Sequence, residues 1–203
     1  MSRPGGADRL QLVLVGGLAG VGKTTLAACL AARTGWALLD KDPLTRPFVE
    51  ALAGQWCGDP DDRESDTYRR RIRPLEYRVL LDAAGGVLAH GCSVIVVAPF
   101  LADVDDPAFD ARLAAVAGGA DIRLVWVSAD PNLVRLRLQA RGAGRDRGKL
   151  AGWEAYLAAA EPRRRPRARH DWVVNDTFGA DALDAQAGRL LTGWQQSGGR
   201  RCC

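Results

Sequence analysis

The stretch Gly17-Leu18-Ala19-Gly20-Val21-Gly22-Lys23-Thr24 matches G-x-x-x-x-G-K-[ST] at every specified position. An apolar, strand-like run at residues 10–15 leads into it, and a helix-like stretch at 26–33 leaves it. That strand–loop–helix setting is the context in which the pattern carries a mechanism. Glycines admit backbone angles that a side chain forbids, so successive main-chain N–H groups can converge on one anion. The following helix adds the partial positive charge of its N-terminus. The pattern predicts a nucleoside triphosphate site, with Gly17 to Gly22 and Thr25 around the phosphates. Lys23 is expected to reach the outer phosphates, and the Thr24 hydroxyl to ligate Mg²⁺.

A chain of 203 residues suits one domain, 1–203, with a substantial core. Apolar and charged contents of 47% and 26% are those of an ordinary globule. The net charge of +4 is mild, so the position of the arginines matters more than their number. The five cysteines are odd in number and lack metal-ligand spacing. Cys29 and Cys92 are expected as small core residues, and Cys202 and Cys203 as exposed thiols of a polar tail. Reduced thiols and a cytoplasmic location follow as expectations. The first apolar run is too short for a secretory signal, and no stretch is long enough for a membrane span.

Continuous apolar runs at 10–15, 94–98, 122–127 and 172–174 read as buried parallel strands, with a shorter fifth at 36–39. Helical spacing occupies 26–33, 68–89, 107–116, 131–141, 150–160 and 180–194. Alternation of the two predicts a doubly wound, three-layer α/β fold with a five-stranded parallel sheet. Ligands gather at the carboxyl ends of such strands. Residues 43–90 are long for one crossover and predict a small helical cap, broken at the acidic turn Gly58-Asp59-Pro60-Asp61-Asp62. Residues 141–149, rich in glycine and arginine, predict a mobile lid.

Asp40 and Asp42 flank Lys41 at the end of the second strand. Residues two apart on an extended chain face the same side, so both carboxylates can enter the cleft. One could hold Mg²⁺, directly or through water, and the other could take the proton of an attacking hydroxyl. An Asx-turn with a helix N-cap is the competing reading of the same residues. Arg135, Arg137 and Arg141 lie on one predicted helix, the last two a turn apart. With Arg145, Arg137 and Arg141 are placed to neutralise charge on the transferring group, and lid closure would exclude water. The competing reading is a solvated cationic face. Asn175 and Asp176 follow the last strand and are placed to border the nucleotide base, or else form a plain turn. In the cap, Arg71 and Arg73 are the candidate acceptor contacts. The run from Arg163 to Arg169 has no interleaved aromatics and reads as a solvated connector rather than a nucleic-acid platform. His90 reads as structural, at a helix end.

These residues resemble the P-loop small-molecule kinases with an adenylate-kinase-type core: shikimate kinase, gluconate kinase and chloramphenicol phosphotransferase. Asp40-Lys41-Asp42 resembles the D-x-D of shikimate kinases, which implies that Asp40 assists Mg²⁺ and Asp42 holds the acceptor hydroxyl. Asp42-Pro43-Leu44 resembles the stretch around the catalytic Asp of chloramphenicol phosphotransferase, which implies Asp42 as base. Arg137 to Arg141, then Arg145-Asp146, is similar to the lid region of the group. The third strand ends Val97-Ala98-Pro99-Phe100, without a carboxylate for a second metal ligand. The triple glycine by which shikimate kinases bind their acceptor is absent too.

The expectation is therefore an ATP-dependent phosphotransferase acting on a hydroxyl of a small metabolite or antibiotic, as a monomer or homodimer. Two rivals stand beside it. A polynucleotide 5′-kinase would pair Asp42 with Arg46, and a nucleotide-gated switch would turn over ATP slowly without a small acceptor.

Overall fold

The computed structural model describes residues 9–104, 106–160, 171–177 and 179–198. The first strand, β1 (Gln11–Gly16), delivers the chain into the glycine loop, and α1 (Lys23–Thr34) leaves it. There follow β2 (Ala37–Asp40), α2 (Lys41–Cys57), α3 (Arg73–Ala89), β3 (Val94–Val97), α4 (Pro107–Ala117) and β4 (Asp121–Ser128). The chain continues through α5 (Pro131–Arg141), α6 (Arg147–Ala151), α7 (Trp153–Ala160), β5 (Asp171–Val174) and α8 (Asp181–Gly198).

All five strands are parallel, in the order β2-β3-β1-β4-β5. Side-chain alternation along β1 divides the core between the two faces. Val13 and Val15 pack with Leu26 and Leu30 of α1, Leu138 of α5 and Leu183 of α8. Leu12 and Leu14 point the other way, toward Leu80 and Ala84 of α3 and Phe109 of α4. Helices thus cover both sides of the sheet, as expected for strands that read as continuous apolar runs. A third, smaller cluster of Val49, Ala53, Tyr68 and Ile72 joins α2 to the segment before α3.

The structure changes three expected elements. The helix expected over 68–89 opens with one π turn, Tyr68–Ile72, in which Arg73 N–H reaches the carbonyl of Tyr68. Pro74 has no N–H to give Arg70, so the α register cannot run through that turn. The helix expected over 150–160 is interrupted at Gly152, whose backbone leaves the helical region (φ −109°, ψ 43°). Cys92 is not in the core: it lies exposed just before β3, whereas Cys29, on α1, is half-buried against the core. His90 sits at the end of α3, its Nδ1 2.8 Å from the Gly86 carbonyl oxygen. Residues 161–170, with the arginine run, and the terminal cysteines lie outside the described residues. Among the described residues, no helix is long and apolar enough to cross a membrane.

Candidate functional site

A cleft of about 1140 Å³ opens at the carboxyl ends of the strands. Its floor is the turn from β1 into α1. Gly22 N-caps α1 in the left-handed region (φ 98°) and no side chain caps the helix. The first-turn N–H groups are therefore left for an anion, with no acidic residue in that turn to compete. A Cβ at Gly22 would lie 2.3 Å from Asn175 Nδ2. Asn175 Nδ2 donates to Val21 O at 2.8 Å, so β5 braces the loop from behind. Leu18 and Val21 are anchored in the core. Ala19, Gly20, Gly22, Lys23, Thr24 and Thr25 line the cleft.

Lys23 Nζ donates to Leu18 O at 2.6 Å. Burial pulls its pKa down from 10.5 to about 8, against the opposing pull of Asp42 and Asp40. Triphosphate favours the ammonium, so affinity is full below that value and falls as pH rises through it. The metal-free Kd for ATP is expected to rise about tenfold between pH 7 and 9, as one proton must be taken up on binding. Fluorescence titration with an ATP analogue checks this, and a flat Kd over that range contradicts it.

Asp40 makes two contacts at once. Its Oδ1 accepts from Asp42 N–H at 3.0 Å, which starts α2, while Oδ2 accepts from Thr24 Oγ1 at 2.7 Å. One carboxylate thus fixes the helix start and reaches the loop. A hydroxyl and a carboxylate oxygen in contact are hard donors of the kind Mg²⁺ takes, with waters and phosphates filling the remaining positions. No cluster of three or more His, Cys, Asp or Glu able to hold a metal occurs among the described residues. The donor set fits a nucleotide-borne Mg²⁺ rather than an all-protein cage.

Asp42, in the first turn of α2, also lines the cleft. Its Oδ1 lies 3.2 Å from Lys41 Nζ and its Oδ2 3.2 Å from Arg145 Nη2. Burial alone would raise its pKa, but Lys41 and Arg145, with Lys23 behind them, hold it below the usual carboxylate range. Arg145 thus comes to Asp42 from a turn of 3₁₀ helix, Gly144–Asp146. Gly144 lies against the acidic turn: a Cβ there would meet Asp61 Oδ2 at 1.9 Å. Arg147 lies 3.4 Å from Asp61 and 3.5 Å from Asp59, and Lys149 lies 3.3 Å from Glu64. The acidic break in the expected cap and the basic expected lid therefore meet over the cleft mouth.

Among the expected site residues, Arg137 lines the cleft but is held in place, while Asp176 and Arg71 lie outside the lining. Arg137 is not free to swing: it donates to the carbonyls of Gly20 (3.4 Å), Asn175 (3.1 Å) and Thr177 (2.5 Å), tying the loop to the turn after β5. Asp176 is turned from the cleft, because its Oδ1 accepts from Asp130 N–H at 2.7 Å where α5 begins. Arg71 is exposed outside the cleft lining, with its guanidinium 4.3 Å over the Trp56 ring. Arg73 does line the cleft, paired with Asp103 at 2.6 Å and stacked 4.4 Å over Tyr77. Arg141 is bound by the buried Asp146, its Nε 3.0 Å from Oδ2. Arg46 is exposed and outside the cleft lining.

Beyond β3 the chain turns at Phe100, a buried residue with φ 52°. Its N–H donates to Tyr77 Oη at 3.1 Å and its ring meets that of Tyr77 edge-on at 5.6 Å. Pro99, Leu101 and Ala102 line the cleft where a second carboxylate would otherwise stand. The sequence reading missed Lys41 and Glu76, which are both buried. The signal was an acid at a core-facing position of α3, between Ile72 and Leu80 at four-residue spacing.

A five-stranded parallel sheet with this loop at its centre and helices on both faces is a P-loop fold. More particularly, the chain belongs to the AAA_33 family of AAA domains, whose model matches residues 12–163. No curated protein matches it. Among solved structures it is similar to a sugar kinase from Janibacter sp. HTCC2649 (19% identity, TM-score 0.60, covering 91% of this chain and 95% of that one). It is likewise similar to a gluconokinase from Sinorhizobium meliloti 1021 (20%, TM-score 0.55, 92% and 97%). A shikimate kinase from Bacteroides thetaiotaomicron is a third (18%, TM-score 0.56, 93% and 99%). At these identities the likeness is one of fold.

Proposed function

We propose that the protein transfers the γ-phosphoryl group of ATP to a hydroxyl of a small metabolite or antibiotic. The observation that carries this reading is the Asp42 carboxylate, held in the same cleft as Lys23 and Thr24 between two cations. The α1 N-terminus and Lys23 bind the phosphates. Thr24 and Asp40 would hold Mg²⁺, which supplies charge neutralisation on the phosphate oxygens.

The acceptor hydroxyl donates a hydrogen bond to Asp42, and its oxygen attacks the γ-phosphorus in line with the bridging oxygen of ADP. The new O–P bond forms as the bridging bond breaks, and the hydroxyl proton passes to the Asp42 carboxylate and on to solvent. A carboxyl held below its usual range is a weak base. It suits a loose transition state, in which orientation of the alcohol matters more than early proton removal. Arg145, already beside Asp42, is placed to follow the charge of the transferring group, with Arg141 behind it on Asp146. Arg137 serves the nucleotide by fixing the loop, and Asn175 does the same from below.

Incubation with Mg²⁺, ATP and pooled metabolites and antibiotics, read by phosphorus NMR and mass spectrometry, tests the reading. One compound is expected to gain a phosphate as ADP appears in equal amount. ADP with free inorganic phosphate alone, and no phosphorylated compound, would point to the nucleotide-gated switch instead.

A further inference from the structure

Beside Asp42, in the wall of the cleft, lies a buried polar cluster of Lys41, Glu76 and Tyr68. Lys41, the first residue of α2, lines the cleft between Asp40 and Asp42 but is itself buried in its wall. Its Nζ lies 2.5 Å from Glu76 Oε1 and 3.2 Å from Asp42 Oδ1. Glu76, on α3, is 3% exposed and Lys41 6%. The other Glu76 oxygen accepts from Tyr68 Oη at 2.5 Å, and Thr45 Oγ1 reaches Lys41 O at 2.7 Å and Glu76 Oε1 at 3.3 Å. Tyr68 comes from the π turn. α2, α3 and that turn therefore meet at one ammonium group.

A buried ion pair seldom adds stability over apolar residues of the same volume, because desolvation offsets the attraction. What this pair adds is direction. A lysine has three donors on a flexible stem, and here Glu76, itself fixed by Tyr68 and Thr45, leaves the ammonium aimed at Asp42. We propose that Lys41 is a positioning residue: anchored by Glu76 and Tyr68, it holds the Asp42 carboxylate toward the phosphate loop. The inference rests on Asp42 receiving the acceptor hydroxyl. It predicts that the α3 wall sets the aim of that carboxylate without touching nucleotide.

The test measures γ-phosphoryl transfer from labelled Mg-ATP to water and to concentrated glycerol, both simple hydroxyl acceptors. Wild type is compared with Lys41→Met, Asp42→Asn, the double variant, Glu76→Gln and Tyr68→Phe. Lys41→Met is expected to lower the rate at saturating ATP by about tenfold or more, with the KM for ATP within about twofold of wild type. The double variant is expected to be no slower than Asp42→Asn alone, since both changes remove one function. Glu76→Gln and Tyr68→Phe are expected to fall in the same direction by less.

A folded Lys41→Met with wild-type rate, a raised KM at unchanged rate, or losses that multiply in the double variant would overturn the proposal. Where Lys41→Met does not fold, Tyr68→Phe decides, because it removes only a hydroxyl, and full activity there overturns it equally. Asp42→Asn at the wild-type rate removes the underlying reading of Asp42. A slow Asp42→Asn beside a fast Lys41→Met removes only the role of Lys41.

Discussion

An Asp42→Asn variant is expected to lose phosphoryl transfer and keep its nucleotide. The amide has the shape of the carboxylate but neither its charge nor its capacity to take a proton. A side chain in this role contributes about 10²- to 10⁴-fold, so kcat should fall by that range. Asp42 meets the loop from across the cleft, and a carboxylate beside a triphosphate repels it. The Kd for Mg-ATP should therefore stay within about threefold of wild type, or tighten slightly. Isothermal calorimetry and a transfer assay on the same preparation separate the two effects. Unchanged turnover would take Asp42 out of the chemistry.

The second large effect is expected at Gly22. Its φ of 98° is a conformation that costs an L-residue about 1–2 kcal/mol. A Cβ there would also displace Asn175 Nδ2, 2.3 Å away, from its bond to Val21. Strain and displacement fall on the N–H groups that face the phosphates. Gly22→Ala is therefore expected to weaken nucleotide binding by about 10- to 100-fold, at 1.4 kcal/mol per tenfold. Gly35, at the other end of α1, provides the control. It has φ 70° with nothing within 4 Å of a Cβ. Gly35→Ala carries the strain without the clash and should lower Tm by a few degrees, about 2–4 °C per kcal/mol, with the nucleotide Kd unchanged. Equal losses of binding in both variants would contradict the brace.

How much of this was legible in the sequence depended on what each residue leaned on. The glycine loop was readable because its tight turn and the helix that follows demand those residues at that spacing, whereas the braces from Asn175 and Arg137 left no local sign. The five strands were readable from their unbroken apolar runs. Only the inner β1 and β3 are buried along nearly their whole length, and the edge strands β2 and β5 leave Leu38, Trp172 and Val174 exposed. Asp40 and Asp42 were readable in position, and Asp40 proved to be both N-cap and cleft residue, two roles that a carboxylate with two oxygens can fill at once. The losses came where a side chain chose between partners far apart in sequence. Arg71 found Trp56, Asp176 found the start of α5, and Arg137 found three carbonyls. None of those choices has a local signature. Glu76 carried a weak one, as an acid on the buried stripe of α3, but its partner Lys41 lies 35 residues away. The π turn before α3 is explained by Pro74, yet a proline near a helix start usually marks N1 and hides that alternative.

The central claim is that the carboxylate at 42 stands opposite the anion-binding turn, where an alcohol must approach. A crystal structure with Mg²⁺ and a non-hydrolysable ATP analogue tests it most directly. The β- and γ-phosphates are expected against the N–H groups that begin α1, with the Asp42 carboxylate turned toward the γ-phosphate and room between them for one hydroxyl. An Asp42 side chain turned away from the terminal phosphate in that complex would contradict it.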